Sequence, residues 1–527
     1  MLKNIEKKFE DIKLQKDFMI VIIDFGTQFN QLIARRVREN KVYCQIESSS
    51  ISLSKLKSLN PEGIILSGGP SSIYEKNSPG LDHGIFKLGV PVFGICYGMH
   101  YMVHALKGKI KKSDKGEYGF AKLKIKRSNP LFKGMKKSFQ CWMSHKDSID
   151  KLPENFSIIA STKNTFAAAI EDKKNKFYGL QFHPEVEHSV NGTLMIKHFL
   201  FDVCKCESKW SIKSFSSDII TQVKKEVGKK RVIMGLSGGV DSSVAATLVH
   251  KAIGQNLFCV FVDNGLLRIN EKKNLKKNLK SSLNLNIKFV DAKKEFLFAL
   301  KKVIDPETKR KVIGKLFIKI FEKEAKKIKN AKFLCQGTLY PDIIESKSAF
   351  GGPTSIIKSH HNVGGLPEKM KLKVIEPLQL LFKDEVRQLG KQLGLDDDII
   401  WRQPFPGPGL AIRITGKVNS LRLNALRQAD SILLKEIKKA NFYNKLWQSF
   451  AVLLPVKSVG VMGDARTYDN CIAIRAVTSN DGMTADWAKI PHKLLGKISN
   501  KIINEVGNIN RVVFDITSKP PGTIEWE

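Results

Sequence analysis

The sequence predicts an α/β protein: two doubly wound parallel-sheet domains followed by a C-terminal α+β domain. Three observations lead there. Short apolar runs alternate with helix-length stretches up to about residue 206. The same alternation starts afresh at Arg231. The Pro/Gly-rich segment Gln403–Gly409 then breaks the pattern before longer helix and strand signals take over. A chain of 527 residues is too long for one hydrophobic core, and about three domains are expected.

In order along the chain, residues 1–17 read as a charged N-terminal extension with no signal-like apolar stretch. The first domain, 18–206, opens with a strand at Phe18–Ile23 and a helix at Gln28–Asn40. Strands at Gly63–Leu66 and Val90–Ile95 end in Ser67-Gly-Gly-Pro70 and at Cys96 respectively. Both ends fall at the carboxyl edge of a parallel sheet, where such folds bind ligands. The second domain, 207–402, has strands at Arg231–Leu236 and Leu257–Val262 and a Lys-rich stretch, 266–332, that reads as helical. The third, 403–527, begins at the Pro/Gly segment, read as a hinge or domain boundary.

Composition narrows the function. Hydrophobic residues make up 42% and charged residues 26% of the chain, which suits a folded globular protein. No run of about 18 apolar residues occurs, so no membrane partner and a cytoplasmic location are expected. The eight cysteines show no paired CxxC spacing, and Cys204-Lys-Cys206 reads as incidental. A net charge of +37 raises nucleic acid as a partner. Lysine far outnumbers arginine, however, and is spread throughout without a basic and aromatic strip, so the charge reads as solvated surface and nucleic acid is not expected.

Two constellations carry chemistry. Gly94-Ile-Cys-Tyr-Gly98 places Cys96 at a sharp strand-to-helix turn, where a helix N-terminus favours a thiolate. By itself that pattern also suits a buried small cysteine. Gln181-Phe-His-Pro-Glu185 shifts the balance: His183 at a strand end can take a thiol proton, and Glu185 can hold the imidazole's tautomer. The second constellation is Ser237, Gly238, Gly239, Val240, Asp241, Ser242 and Ser243, between a strand and a helix. Glycine backbone N–H groups, hydroxyls and a helix N-terminus make a phosphate cradle, though not the pattern ending in Gly-Lys-Ser/Thr.

Residues 18–200 resemble class I glutamine amidotransferases, through Asp24-Phe-Gly-Thr-Gln28, Ile65–Pro70, Gly94–Gly98, Trp142-Met-Ser-His145 and Gln181–Glu185. The resemblance implies that Cys96 attacks the glutamine amide, that His183 is base and then acid, that Glu185 orients it, and that N–H groups near Gly69 and Tyr97 form the oxyanion hole. The chain departs from that family at His100, where Gln is usual, and at Lys146, where Gly is usual. The Ser237–Ser243 loop resembles ATP pyrophosphatases. That implies ATP bound with Mg²⁺, Asp241 contributing to the metal, Asp263 near the nucleoside and Lys383 on a phosphate, with no tightly bound organic cofactor.

Gln336–Asp342, Lys358–Pro367, Leu381–Arg387, Gly463–Tyr468 and the terminal segment resemble the GMP synthase family. This likeness implies a lid carrying Lys358, His360 and His361, and XMP contacts from Arg310, Lys519, Thr523, Ile524 and Glu525. It also implies a homodimer with glutamine, ATP and XMP as small-molecule substrates. Gly522 stands where Ala is commoner. Another ATP-pyrophosphatase amidation such as NAD synthesis, a tRNA thiolation through Cys335, and a basic nucleic-acid-binding scaffold are the alternatives. The scaffold leaves the cysteine site and the glycine loop unexplained together.

Overall fold

The computed structural model describes residues 19–27, 29–277, 284–343, 372–462, 464–479, 482 and 484–527. They form two compact units. One holds residues up to 218 with 341–343; the other holds 219–340 and 372–527.

The first unit is built on a nine-stranded sheet. Its strands are β1 (Met19–Asp24), β2 (Tyr43–Ser48), β3 (Gly63–Leu66), β4 (Val92–Ile95), β5 (Lys109–Ile125), β6 (Ser138–Lys151), β7 (Ser157–Ser161), β8 (Ala169–Asp172) and β9 (Phe177–Leu180), in the order β2-β1-β3-β4-β9-β8-β7-β5-β6. The half from β2 to β9 is parallel. The other half is antiparallel, which the expectation of a wholly parallel sheet did not include. The long β5–β6 pair explains it, because an antiparallel neighbour needs only a short connection and no crossover helix. β3, β4 and β9 are buried along their whole length, as sheet strands covered on both faces must be. Ile64, Leu66 and Val92 pack with Met99, Met102 and Val103 of the helix Tyr97–Ala105. Burying each such side chain contributes about 1.5–3 kcal/mol.

The second unit has a five-stranded parallel sheet, ordered β12-β11-β10-β13-β14: β10 (Arg231–Gly235), β11 (Leu257–Asp263), β12 (Ile287–Asp291), β13 (Ala331–Cys335) and β14 (Lys373–Ile375). β12 lies inside the Lys-rich stretch that reads as helical. It is a short edge strand with little inward apolar signal, so its pairing with β11 decides its form. A second sheet joins the hairpin β15 (Gln448–Met462) and β16 (Ala465–Thr478) to β17 (Asp486–Trp487) and β18 (Ile509–Asp515). Ile233, Val260 and Leu334 of the first sheet share one core with Leu410, Leu426, Leu453, Ile472 and Ile498. The Gln403–Gly409 segment therefore does not separate two cores.

Two glycines test the packing. A Cβ on Gly98 would lie 2.3 Å from the Leu66 carbonyl oxygen, a backbone atom that cannot step aside. Gly314 lies within the helix Pro306–Ala325 with nothing within 4 Å of a built Cβ. Gly98→Ala should lower stability by about 1–3 kcal/mol, whereas Gly314→Ala should raise it by about 0.5–1 kcal/mol; urea unfolding of the two variants checks the opposite signs.

Candidate active site

β4 delivers Cys96 to a tight turn. Its backbone sits at φ 49°, ψ −107°, uncommon for a residue with a Cβ, directly before the helix Tyr97–Ala105. The turn is pinned on both sides. Cys96 N–H donates to Leu180 O at 2.7 Å, and Gly98 N–H donates to Ser67 O at 3.0 Å. The end of β9 brings in the partner groups. His183 N–H donates to Trp142 O at 3.1 Å, and Ser189 Oγ donates to His183 O at 2.6 Å, so the histidine backbone is held at both ends.

The His183 ring places Nδ1 2.7 Å from Glu185 Oε1, with both residues buried. An acceptor at that distance requires the proton on Nδ1 and leaves Nε2 to face the thiol. Burial pulls the His183 pKa down most strongly, but the Glu185 charge and the hydrogen bond with Cys96 together outweigh it and hold the pKa well above the ordinary imidazole value. Arg36 Nε donates to the Glu185 carbonyl at 3.2 Å. Cys96 Sγ lies 3.6 Å from Ser144 O. The loop after β3 lies against His183 and Tyr97: a Cβ built on Gly68 would be 3.2 Å from His183 Cε1, and one on Gly69 3.2 Å from Tyr97 Cγ. Cys96, His183, Glu185, Gly69 and Tyr97 are thus assembled in one place. His100 faces the Gln181 side chain, with Nε2 2.7 Å from its Oε1. Gln181 stands in the quoted motif, but nothing in its local sequence indicates that contact.

In the second unit, β10 leads into the glycine loop. Gly238 adopts φ +76°, the left-handed region that suits glycine. Ser237 Oγ accepts from Gly239 N–H at 3.2 Å and lies 2.9 Å from Ser242 Oγ, while Ser243 Oγ donates to Gly239 O at 2.8 Å. These hydroxyls brace the loop, and the Val240 side chain is core. Lys383 Nζ lies 2.5 Å from Asp241 Oδ2, so two residues far apart in sequence meet at the start of the helix Val240–Ile253. Asp241 Oδ1 is buried and has no hydrogen-bond partner. Arg402, which the sequence did not single out, donates to Gly238 O at 2.5 Å. Asp263, at the end of β11, closes a turn: Oδ1 accepts from Gly265 N–H at 3.1 Å, and Lys272 and Lys293 each lie 3.3 Å from Oδ2.

The C-terminal residues are drawn onto buried cations. Arg413 binds Glu525 through two nitrogens at 3.0 and 2.8 Å, and Gln448 Nε2 donates to the same carboxylate at 2.6 Å. Lys309, fully buried, pairs with the Glu527 side chain, and Arg310 donates to the Glu527 carbonyl. Arg475 donates to the carbonyls of Thr517, Thr523 and Ile524, while the Ile524 side chain packs on Phe450 and Val452. Lys519 Nζ donates to Gly482 O at 2.7 Å. Lys309, Arg413, Gln448 and Glu527 carry no local motif and were not anticipated. Lys358, His360, His361 and Gly463 lie outside the described residues.

Cys335 is buried in β13, and burial pushes its thiol upward, away from reactivity. All eight cysteines are free and buried. Among the described residues, no helix is long and apolar enough to cross a membrane.

The first unit's fold and its thiol–imidazole–carboxylate site define a glutamine amidotransferase of class I, and residues 21–203 match the family of that description. Residues 212–317 match the NAD synthase family, and residues 435–526 match the GMP synthase C terminal domain. Proteins named GMP synthase [glutamine-hydrolyzing] are similar over almost the whole chain. The one from Brachyspira hyodysenteriae is 56% identical, covering 96% of this chain and 99% of its own. Those from Clostridium botulinum and Caldicellulosiruptor saccharolyticus are each 54% identical, covering 97% of this chain and 99% of theirs. The chain belongs to the family of glutamine-hydrolysing GMP synthases, which are enzymes.

His100 yields a prediction about acid stability. Burial pushes its pKa down from 6.5 to about 4. A histidine depressed in the fold leaves stability intact above the unfolded value and erodes it as pH falls toward the folded one, because the unfolded chain takes up the proton first. His100→Gln removes that liability. Between pH 7 and pH 5 the wild-type protein should lose about 2 kcal/mol more stability than the variant, at about 1.4 kcal/mol per pH unit below the unfolded value; urea unfolding at both pH values measures the gap.

Proposed function

We propose that Cys96, His183 and Glu185 release ammonia from glutamine, and that the second unit uses ATP to activate XMP so that this ammonia converts it to GMP. The observation that carries the reading is the buried His183–Glu185 pair beside a cysteine held at a strained turn. His183 Nε2 takes the thiol proton. The thiolate attacks the glutamine amide carbon, and N–H groups at Gly69 and Tyr97 stabilise the oxyanion. The C–N bond then breaks, ammonia leaves with the proton from His183, and water hydrolyses the thioester to glutamate, restoring the thiol. Glu185 keeps the ring in the tautomer this needs.

The purine 2-oxygen is a poor leaving group, so adenylylation precedes amination. ATP gives pyrophosphate and an AMP ester of that oxygen, and ammonia displaces AMP. The glycine loop at Ser237–Ser243 would bind the phosphates and Lys383 would offset their charge. Asp241, with its buried free Oδ1, suits Mg²⁺ held by one carboxylate and substrate phosphates. The metal would supply charge neutralisation on those phosphates. Arg310, Lys519, Thr523, Ile524 and Glu525 are the proposed XMP residues; the Arg413–Glu525 pair supports this by fixing where the tail lies.

A homodimer belongs to the same reading. Val459 and Tyr468, cross-strand partners on the β15–β16 hairpin, are both exposed, and Val456 and Val461 beside them are exposed too. Such clustered apolar residues on a sheet suit burial against a second copy. Free buried thiols fit a reducing, cytoplasmic compartment.

Two experiments test these assignments. With XMP, ATP and Mg²⁺, Cys96→Ala should lose at least about a thousandfold of glutamine-driven GMP formation, by analogy with loss of other catalytic nucleophiles, yet retain the ammonium-driven reaction. Asp241→Asn should depress both reactions. Glutamine use by the cysteine variant would refute the thiol role, and no GMP from either nitrogen source in the wild-type protein would refute the acceptor. In sedimentation, the Val459→Asp, Val461→Asp double variant should run as a monomer where the wild-type protein runs as a dimer.

A further inference from the structure

Gln181 is fully buried at the end of β9, two residues before His183, and its backbone N–H donates to Ala168 O at 2.9 Å. Its side chain bridges two groups of the first unit's site. Oε1 lies 2.7 Å from His100 Nε2, and Nε2 lies 3.8 Å from Cys96 Sγ, within reach of a hydrogen bond to sulfur. His100 reaches this position because it lies one helical turn after Cys96: its N–H donates to the Cys96 carbonyl at 3.1 Å.

A carboxamide has nearly the same shape either way round, so shape does not select which end faces the sulfur. A donor on the far side does. Nε2–H of His100 demands Oε1 as its acceptor, which turns the amide NH₂ toward Cys96. The reverse orientation would set a carbonyl oxygen against a sulfur that must become negative. We propose that His100 is a positioning residue for glutamine hydrolysis: through Gln181 it aims an N–H at the Cys96 sulfur and so stabilises the attacking thiolate. The inference rests on the reading of Cys96 as the nucleophile.

The surroundings suit a neutral donor. His145 and Asp147, both on β6, are the charged or titratable groups whose fields reach His100, and burial keeps its imidazole uncharged at neutral pH. A neutral ring carries one proton, and the amide orientation that puts NH₂ toward Cys96 Sγ is the one that pairs Oε1 with a proton on Nε2. His100 therefore acts on the amide of Gln181.

The test uses the full-length protein and four variants: His100→Leu, which removes the donor, His100→Gln, which keeps one, Gln181→Met, which removes the amide at similar volume, and Cys96→Ala as the blank. Iodoacetamide alkylation of Cys96 is followed from pH 6 to pH 9, alongside kcat and KM for glutamine. His100→Leu should slow alkylation at pH 7 by roughly tenfold, the size of a hydrogen bond to a charged group. It should move the alkylation profile to higher pH, and lower kcat with little change in KM. His100→Gln should recover most of the rate. Wild-type alkylation in His100→Leu, or a raised KM with unchanged alkylation, overturns the proposal. If His100→Leu does not fold, Gln181→Met decides: slowed alkylation supports it and an unchanged rate overturns it. Glutamine use by Cys96→Ala would instead strike at the nucleophile assignment, independently of alkylation.

Discussion

The strained turn at Cys96 is the constraint on which the first unit's site depends. A non-glycine residue at φ 49° costs on the order of 1–3 kcal/mol and persists only where its surroundings over-determine it. Here they do. Cys96 N–H is tied to the last residue of β9, and Gly98 packs directly on the Leu66 carbonyl at the end of β3. Three neighbouring strands of the sheet therefore set the thiol's position, and the same strand ends carry the Gly68–Gly69 backbone and the Gln181–His183 segment. Rigid strands rather than loops thus place Cys96, His183 and the Gly68–Gly69 backbone.

The second unit uses buried charge to the same end. Arg413, Arg475 and Lys309 are all fully buried, a condition that requires partners. The tail supplies them: Glu525 for Arg413, backbone carbonyls for Arg475, and Glu527 for Lys309. Buried pairs of this kind add little net stability over apolar packing, but losing one partner strands the other, so they enforce a single tail arrangement. The last residues are held in place on the same core that carries the Ser237–Ser243 glycine loop, because that core runs without interruption from β10 to the helix His492–Glu505.

The two units divide the chemical work along lines their folds allow. A thiol site needs an enclosed, low-dielectric setting in which an imidazole and a carboxylate stay paired, and the His183–Glu185 contact is buried accordingly. The glycine loop of the second unit is more open, and the Lys383–Asp241 pair at the start of its helix is only partly buried.

By itself the sequence determined what depends on neighbours a few positions apart. The strand–turn–helix at Gly94–Gly98, the His183–Glu185 spacing and the Ser237–Ser243 loop are local, and the backbone rules that read them act over the same short range. Tertiary structure alone decided the rest. The antiparallel half of the first sheet and the edge strand β12 take their form from partner strands, which propensity does not encode. His100 meets Gln181 across 81 positions, Lys383 meets Asp241 across 142, and Arg413 meets Glu525 across 112. In each case the side chain's role is set by the group packed against it, and only the folded chain brings that group within hydrogen-bonding distance.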